Sequence, residues 1–437
     1  MILLEKIFFY LFVFCLPWQT RKILYTWGGE FNEWTSAYLY LTDVFIILLL
    51  LLWVWRLREG RFLENFKIFQ LKNHSFWLMI FLFFSLITLV QARNLPLGFY
   101  SWLKLLEFIL LFFYLKQNYN KIFNFKRLVQ IFVASGVFQS LIVVGQFINQ
   151  KSLGLRFLTE SPLSAEIDGV AKFISNDLTF IRAYGSFPHP NVLAVFLLVC
   201  IFFVYYLWLV REKNFLGDCF LLSIYFLLLL ALSLTFSRII IFSFLLLSLI
   251  FFILNFKKYK KQIFGLFLVL VIFSSIFFLL AKPEAVDRFQ ISSGEQSVVL
   301  REFYNQVSYS IVQEYPLIGI GLGNFVWEIK EIMHLMLSWI HQPVHNIYLL
   351  IASEVGLTGL LFFLMFVYQL LIGNRKQKIK NKEERYLLIL LVFCFLFLGL
   401  FDHFFWTLQQ GQLIFWLILG LLGANIFHNL TADERGV

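Results

Sequence analysis

The sequence predicts an all-α, polytopic membrane protein of about twelve transmembrane helices, with a large extracytoplasmic loop before the tenth. Three observations carry that expectation. Of 437 residues, 60% are hydrophobic and 20% aromatic, with 57 phenylalanines and a mean hydropathy of +0.80. Soluble domains are about half apolar, so the excess calls for lipid as solvent. Apolar runs of roughly 18 or more residues, enough to cross about 30 Å of hydrocarbon, recur along the chain. Finally, the basic residues gather in alternate connections between these runs, the pattern that orients membrane helices.

The runs fall at 2–17, 36–55, 75–92, 97–115, 128–148, 190–210, 216–235, 238–254, 262–280, 345–372, 386–403 and 410–427. The first begins like a secretory signal, with Lys6 inside a short apolar stretch. Leu16-Pro17-Trp18 stands where small residues would mark a cleavage site, so the run is read as a retained span. The spans at 216–235 and 238–254 form a tight hairpin around Thr235-Phe236-Ser237-Arg238. Cys15, Cys200, Cys219 and Cys394 lie in or beside apolar runs without C-x-x-C spacing. They read as small hydrophobes, not as disulfide or zinc ligands.

Charge fixes the expected topology. Arg56, Arg58, Arg61, Lys67 and Lys72 occupy 56–74, and Lys116, Lys121, Lys126 and Arg127 occupy 116–127. Arg211 and Lys213 follow in 211–217, and Lys257, Lys258, Lys260 and Lys261 in 255–261. Arg375, Lys376, Lys378, Lys380, Lys382 and Arg385 occupy 373–385. The short connections on the other side hold only Arg21, Lys22, Arg93 and Arg238. Both termini are therefore expected in the cytoplasm. The net charge of +10 is spent on orientation, and nucleic acid is not an expected partner.

Two long connections, 149–189 and 281–344, fall on the outer side. Connections of this length are functional or disordered as a rule. In the second, Val299, Phe303, Val307 and Ile311 recur every four residues between Glu295 and Glu314, the pattern of an amphipathic surface helix. It is expected to stop at Tyr315-Pro316, with Gly319, Gly321 and Gly323 as a flexible return.

Charges within spans are functional candidates, yet Lys104 and Glu107 stand three apart on one helix face and neutralise each other. On the outer side Arg182, Arg238 and His345 stand out. Arg182 lies in I-R-A-Y-G-S-F-P-H-P-N, where Gly185, Pro188 and Pro190 shape a fixed turn. Snorkelling to lipid head groups is the plain alternative for each arginine. Arginine is also the preferred phosphate ligand, through its planar fork of donors. Histidines gather outward as well, at His189, His334, His341, His345 and His403. His341 and His345 have the spacing of a zinc pair, but Pro343 separates them and the Glu of H-E-x-x-H is missing. No metal is expected. There is no Asp-x-Asp, P-loop or G-x-S-x-G, and Gly319-Ile320-Gly321-Leu322-Gly323 follows no credible strand. No nucleotide cofactor is expected.

Four stretches resemble the O-antigen ligase family, which also takes in O-antigen polymerases and protein O-oligosaccharyltransferases. They are R-A-Y-G-S-F-P-H-P-N from Arg182, T-F-S-R ending at Arg238, the segment from Arg301 through Y-P-L-I-G-I-G-L-G-N-F, and H-N-I-Y-L-L-I-A-S-E-V-G-L-T-G from His345. The likeness spans about 175–400. It implies a twelve-span fold in the bacterial cytoplasmic membrane and a glycan donor carried on undecaprenyl diphosphate. It further implies metal-independent, inverting transfer to an acceptor hydroxyl of lipid A core, a glycan or a protein. The family's essential arginines fall on Arg182 and Arg238 and its histidine on His345. His189, Asn191, Arg301, Asn346 and Glu354 are the supporting candidates within the same stretches. In this reading the arginines hold the diphosphate and stabilise its leaving charge. His345 takes the acceptor's proton, since histidine titrates near neutrality. The competing reading is a transporter or flippase of lipid-linked sugars, which more often shows midplane charges and broken helices.

Overall fold

The computed structural model describes residues 1–59, 74–175, 178–212, 214–280, 296–337, 340–372 and 382–433. Arg61, Lys67, Lys72, Lys213, Arg375, Lys376, Lys378 and Lys380 lie outside them, as does the first part of the 281–344 connection. In chain order the elements are α1 (Ile2–Cys15), β1 (Arg21–Thr26), β2 (Ser36–Tyr40), α2 (Leu41–Glu59), α3 (His74–Ile87), α4 (Leu95–Asn118), α5 (Phe125–Asn149), β3 (Lys172–Ser175) and β4 (Leu178–Ile181). They continue with α6 (Pro190–Val210), α7 (Phe215–Leu234), α8 (Arg238–Leu280), α9 (Gln296–Glu314), α10 (Phe325–Ile332), α11 (Ile347–Ile372), α12 (Lys382–Leu398), α13 (Phe404–Thr407) and α14 (Gln409–Asp433).

The protein is a helical membrane protein. Among the described residues seven helices are long and apolar enough to cross a bilayer: α3 with its 3₁₀ extension to Gln91, α4, α5, α6, α7, α8 and α11. The runs expected at 2–17, 36–55, 386–403 and 410–427 are also helical, as α1, α2, α12 and α14. Helix α8 carries a break where the connection 255–261 was expected, because two helices run together across 238–280 and Tyr259 between them leaves helical geometry. At about 1.5 Å per residue the 43 residues are far more than one crossing needs.

The all-α expectation also missed two short antiparallel ribbons. Strand β1 pairs with β2, so the run expected as a helix from residue 36 starts as strand and turns helical only at Leu41. Strand β3 pairs with β4 within the 149–189 connection. Ser-Ala-Tyr-Leu-Tyr is apolar enough to join a hydropathy run, while its aromatic content suits a pleated surface.

The chain divides into two compact units. One comprises Met1–Phe9, Arg21–Phe123 and Ser293–Val437, and the other Tyr10–Thr20 and Asn124–Ser292. In the second unit α6 packs against α5, α7 and α8. Residues Pro190 to Leu209 are all buried, as an all-round apolar helix requires. In the first unit α14 packs on α4, α11 on α3, and α9 on α11. Helix α9 is the expected surface helix, but its inward stripe is Tyr304, Ser308 and Ile311 with Phe303 and Val307 beside it, while Val299 stays exposed.

The glycine return after α9 is packed, not flexible. Helix α11 breaks at Gly356 (φ +77°). The Ile320 and Gly321 amides donate to the carbonyls of Ser353 and Glu354 at 2.9 and 3.0 Å, and the Leu357 amide donates to Pro316 O at 2.8 Å. Gly319 and Gly356 adopt left-handed φ at this crossing, and a Cβ on Gly319 would stand 2.5 Å from Ser353 O.

Candidate functional site

The second unit gathers the arginine motif. Arg182 follows β4 and is buried at 5% exposure. Its Nε donates to Thr235 O and its Nη2 to Asn191 Oδ1, both at 2.7 Å. Asn191 Oδ1 also accepts from Ser237 Oγ at 2.8 Å. The R-A-Y-G-S-F-P-H-P-N loop and the T-F-S-R turn are thus one hydrogen-bonded structure. Gly185 makes its bend at φ +60°, with Gln146 Oε1 accepting from the Tyr184 and Gly185 amides. His189 caps α6, its Nδ1 accepting from Asn191 N at 3.2 Å.

Arg238 is half-buried and opens α8. The turn before it holds Phe236 at φ +46°, a conformation a bulky residue adopts only when its surroundings enforce it. The Phe236 ring is gripped by Phe173 and Phe147, at centroid distances of 4.5 and 5.9 Å. Arg182 is thus tied to the turn that precedes Arg238, and Arg238 stands at the head of a long helix, where the helix dipole favours anions.

The first unit holds the histidine. His345 precedes α11 but does not cap it, because Asn346 Oδ1 accepts from the Tyr348 and Leu349 amides at 2.9 and 3.2 Å. The His345 side chain is left for other work. Its Nδ1 lies 3.5 Å from Asp402 Oδ1. That is an ion-pair distance, too long for a hydrogen bond, and Nδ1 makes none. Asp402 is fixed by accepting the His403 amide at 2.8 Å. The His403 ring lies 4.8 Å from that of His345, and its Nδ1 is 2.6 Å from Thr407 Oγ1. The Tyr304 ring closes the group at 6.3 Å. Its hydroxyl donates to Ile340 O, and burial pushes its pKa up to about 12, so it stays neutral.

His341 does not join His345. It is buried, with Nε2 2.9 Å from Met333 O. Among the described residues, the group that could hold a metal is instead His345, Asp402 and His403, whose ligand atoms lie within 4.8 Å of one another. Arg301 lies exposed on α9, one turn before Tyr304. Glu354 is buried in α11, where its carboxylate accepts from Phe325 N at 3.4 Å and Trp406 Nε1 at 3.2 Å. Lys104 pairs with Glu107 as expected, and also with Asp43, each at 2.7 Å. Asp402 is the site residue that sequence reasoning did not single out. The Asp-His pair closing the run 386–403 was the available signal.

Residues 223–364 match the family model described as O-Antigen ligase. The match opens in α7 and closes in α11, and it contains Arg238, Arg301, His345, Asn346 and Glu354. No curated protein matches the chain. The match covers about a third of the chain; it supports a place with the O-antigen ligase family and, together with the apolar helices, a multi-pass membrane enzyme that transfers a glycan of the cell envelope.

Proposed function

We propose that the protein transfers a glycan from undecaprenyl diphosphate to an acceptor hydroxyl at the outer face of the bacterial cytoplasmic membrane, with both termini cytoplasmic. Arg182 and Arg238 hold the diphosphate. His345 Nε2 takes the proton as the acceptor oxygen attacks the anomeric carbon. The bond to the diphosphate breaks with inversion, its electron pair leaves on the polyprenyl diphosphate, and the arginines stabilise that charge. Asp402 orients the ring through Nδ1 and favours the imidazolium that forms. The observation carrying this reading is the division of labour at α11, where Asn346 caps the helix and His345 faces a carboxylate at 3.5 Å. A distance slightly beyond a hydrogen bond is common in sites without substrate and tightens when the acceptor binds.

The test is release of free polyprenyl diphosphate from a polyprenyl-diphosphate glycan by the purified protein. A flippase would release none. Full turnover is expected after chelation. Its loss, restored by a divalent ion, would favour a second reading in which His345, Asp402 and His403 hold a metal. For topology, an impermeant thiol reagent on intact cells should label Ser310→Cys on exposed α9 and spare Lys382→Cys at the start of α12. Labelling of the second would reverse the orientation.

A further inference from the structure

The first unit contains a cleft of about 330 Å³ that the transfer chemistry above does not use. It lies between the segment after α3, helix α9 and helix α10. Val307, Ile311 and Ile320 give it an apolar floor, and Arg93, Glu314 and Glu328 give it a charged rim. We infer that this cleft binds a primary ammonium group carried on an apolar body, with the ammonium at Glu314 and Glu328 and the body on the floor. Such a ligand is opposite in charge to the diphosphate donor of the proposed function, and its binding does not depend on that reading.

Size, access and lining lead to this ligand class. Small-molecule pockets run from about 300 to 1,000 Å³, with apolar walls and a few converging polar groups. The cleft has both properties. It is also open, because Ser310 and Glu314 on α9 are exposed and the Arg93 side chain is 60% exposed. An occupant reaches the rim without moving a core residue, while Ile311 and Ile320 stay buried beneath it. At one end Ile332 lines the cleft and is exposed, and the chain runs on from it into exposed Leu335, Met336 and Leu337. Exposed apolar surface of this kind marks contact with a ligand or a membrane. A purely hydrophilic amine would leave both that edge and the floor uncovered.

The sign of the charge narrows the class. Two carboxylates line the cleft against one guanidinium. That guanidinium is already committed, with Arg93 Nε 3.0 Å from Glu328 Oε1. Burial raises the Glu328 carboxyl above its ordinary pKa; Arg93 opposes the rise, and Glu331 and Glu314 add to it. The rim therefore repels a phosphate or a carboxylate and attracts a cation. A single metal ion fits poorly. Among the described residues, the acid and histidine side chains close enough to gather one are His345, Asp402 and His403, so the rim carboxylates stand too far apart to share it. An ammonium has three donors and needs no such closely gathered ligands.

Equilibrium dialysis of the purified full chain tests the inference, with radiolabelled hexylamine, hexanol and hexanoate as probes and one nonionic detergent on both sides. Hexylamine should bind saturably, and hexanol and hexanoate should not. Ser310→Trp fills the cleft from the exposed side of α9 and should abolish binding. Glu314→Gln should weaken it by up to about fivefold, the worth of one exposed charge pair. Arg93→Gln should strengthen it by a similar factor, because Glu328 loses its competing partner; a purely structural ion pair predicts no gain. Thermal unfolding of Ser310→Trp and Glu314→Gln should match the wild type. Absent hexylamine binding overturns the inference, as does equal binding of hexanoate, displacement of hexylamine by equimolar magnesium, or an unchanged affinity in both Ser310→Trp and Glu314→Gln. Native mass spectrometry separates the sources of the ammonium. Phosphatidylethanolamine retained over phosphatidylglycerol makes the carrier a membrane lipid, and hexylamine binding with neither lipid retained makes it a soluble amine. Both outcomes uphold the ammonium site, whereas phosphatidylglycerol retained preferentially and lost in Ser310→Trp overturns it.

Discussion

The arginine corner and the histidine group are built in opposite ways. Arg182 spends two donors on Thr235 O and Asn191 Oδ1, so its position is over-determined by neighbours in two short motifs. His345 is held only loosely, with no hydrogen bond at Nδ1 and a carboxylate just out of reach. A group that must bear a fixed charge gains from rigid support, since preorganised dipoles cost no reorganisation during reaction. A group that must gain and lose a proton works with a partner whose contact can tighten as charge develops.

Substitutions can break this contrast, and the largest effect belongs to the loosely held side. His345→Ala should lower turnover about 10²–10⁴-fold while leaving donor binding and folding intact. Near-normal turnover would end its role as base. Asp402→Asn should cost no more than the loss of His345 itself, since it acts on the ring and not on the acceptor. Because it acts through His345, its effect should vanish in the His345→Ala background, and a double-mutant cycle reads this directly. Additive losses would mean that Asp402 works independently.

On the rigid side the expected effects shift from rate to structure. Arg182→Lys loses the fork that spans Thr235 and Asn191. It should lower stability by about 1.5–3 kcal/mol, the range for hydrogen bonds to charged groups, and raise the apparent KM for the lipid-linked donor. Thermal unfolding and donor titration check the two parts separately. An unchanged KM would leave Arg182 as a purely structural tie. The smallest effect is expected at Asn346. Asn346→Ala removes the α11 cap and should cost about 1 kcal/mol of stability with turnover nearly preserved. A large drop in turnover there would show that cap and base are not separable.

The contrast also explains what was legible in sequence. Hydropathy marks the helices long and apolar enough to cross a bilayer, seven among the described residues, because the signal is local and repeated. The Arg182 turn was legible because glycine and proline set its shape and its partners Asn191 and Thr235 lie in motifs that stand out. Asp402 was not, since it closes an apolar run and meets His345 only through tertiary structure. Strand β2 was hidden because an apolar strand feeding straight into α2 continues the same hydropathy run. The Gly319–Gly323 segment was misread for another reason. Glycine marks positions where other residues cannot go, and flexibility is only one cause of that. Here the cause is close approach to the carbonyls of α11.

That approach bears on how the protein is made. A helix delivered alone into a bilayer keeps all its backbone groups paired within itself, because nothing else there can pair them. Helix α11 is interrupted at Gly356, and two of its carbonyls depend on amides from Ile320 and Gly321. The interruption is therefore satisfied only with the segment after α9 in place, which supplies the donors that an isolated α11 would lack. The segment lies upstream in the chain, so it is already synthesised when α11 emerges.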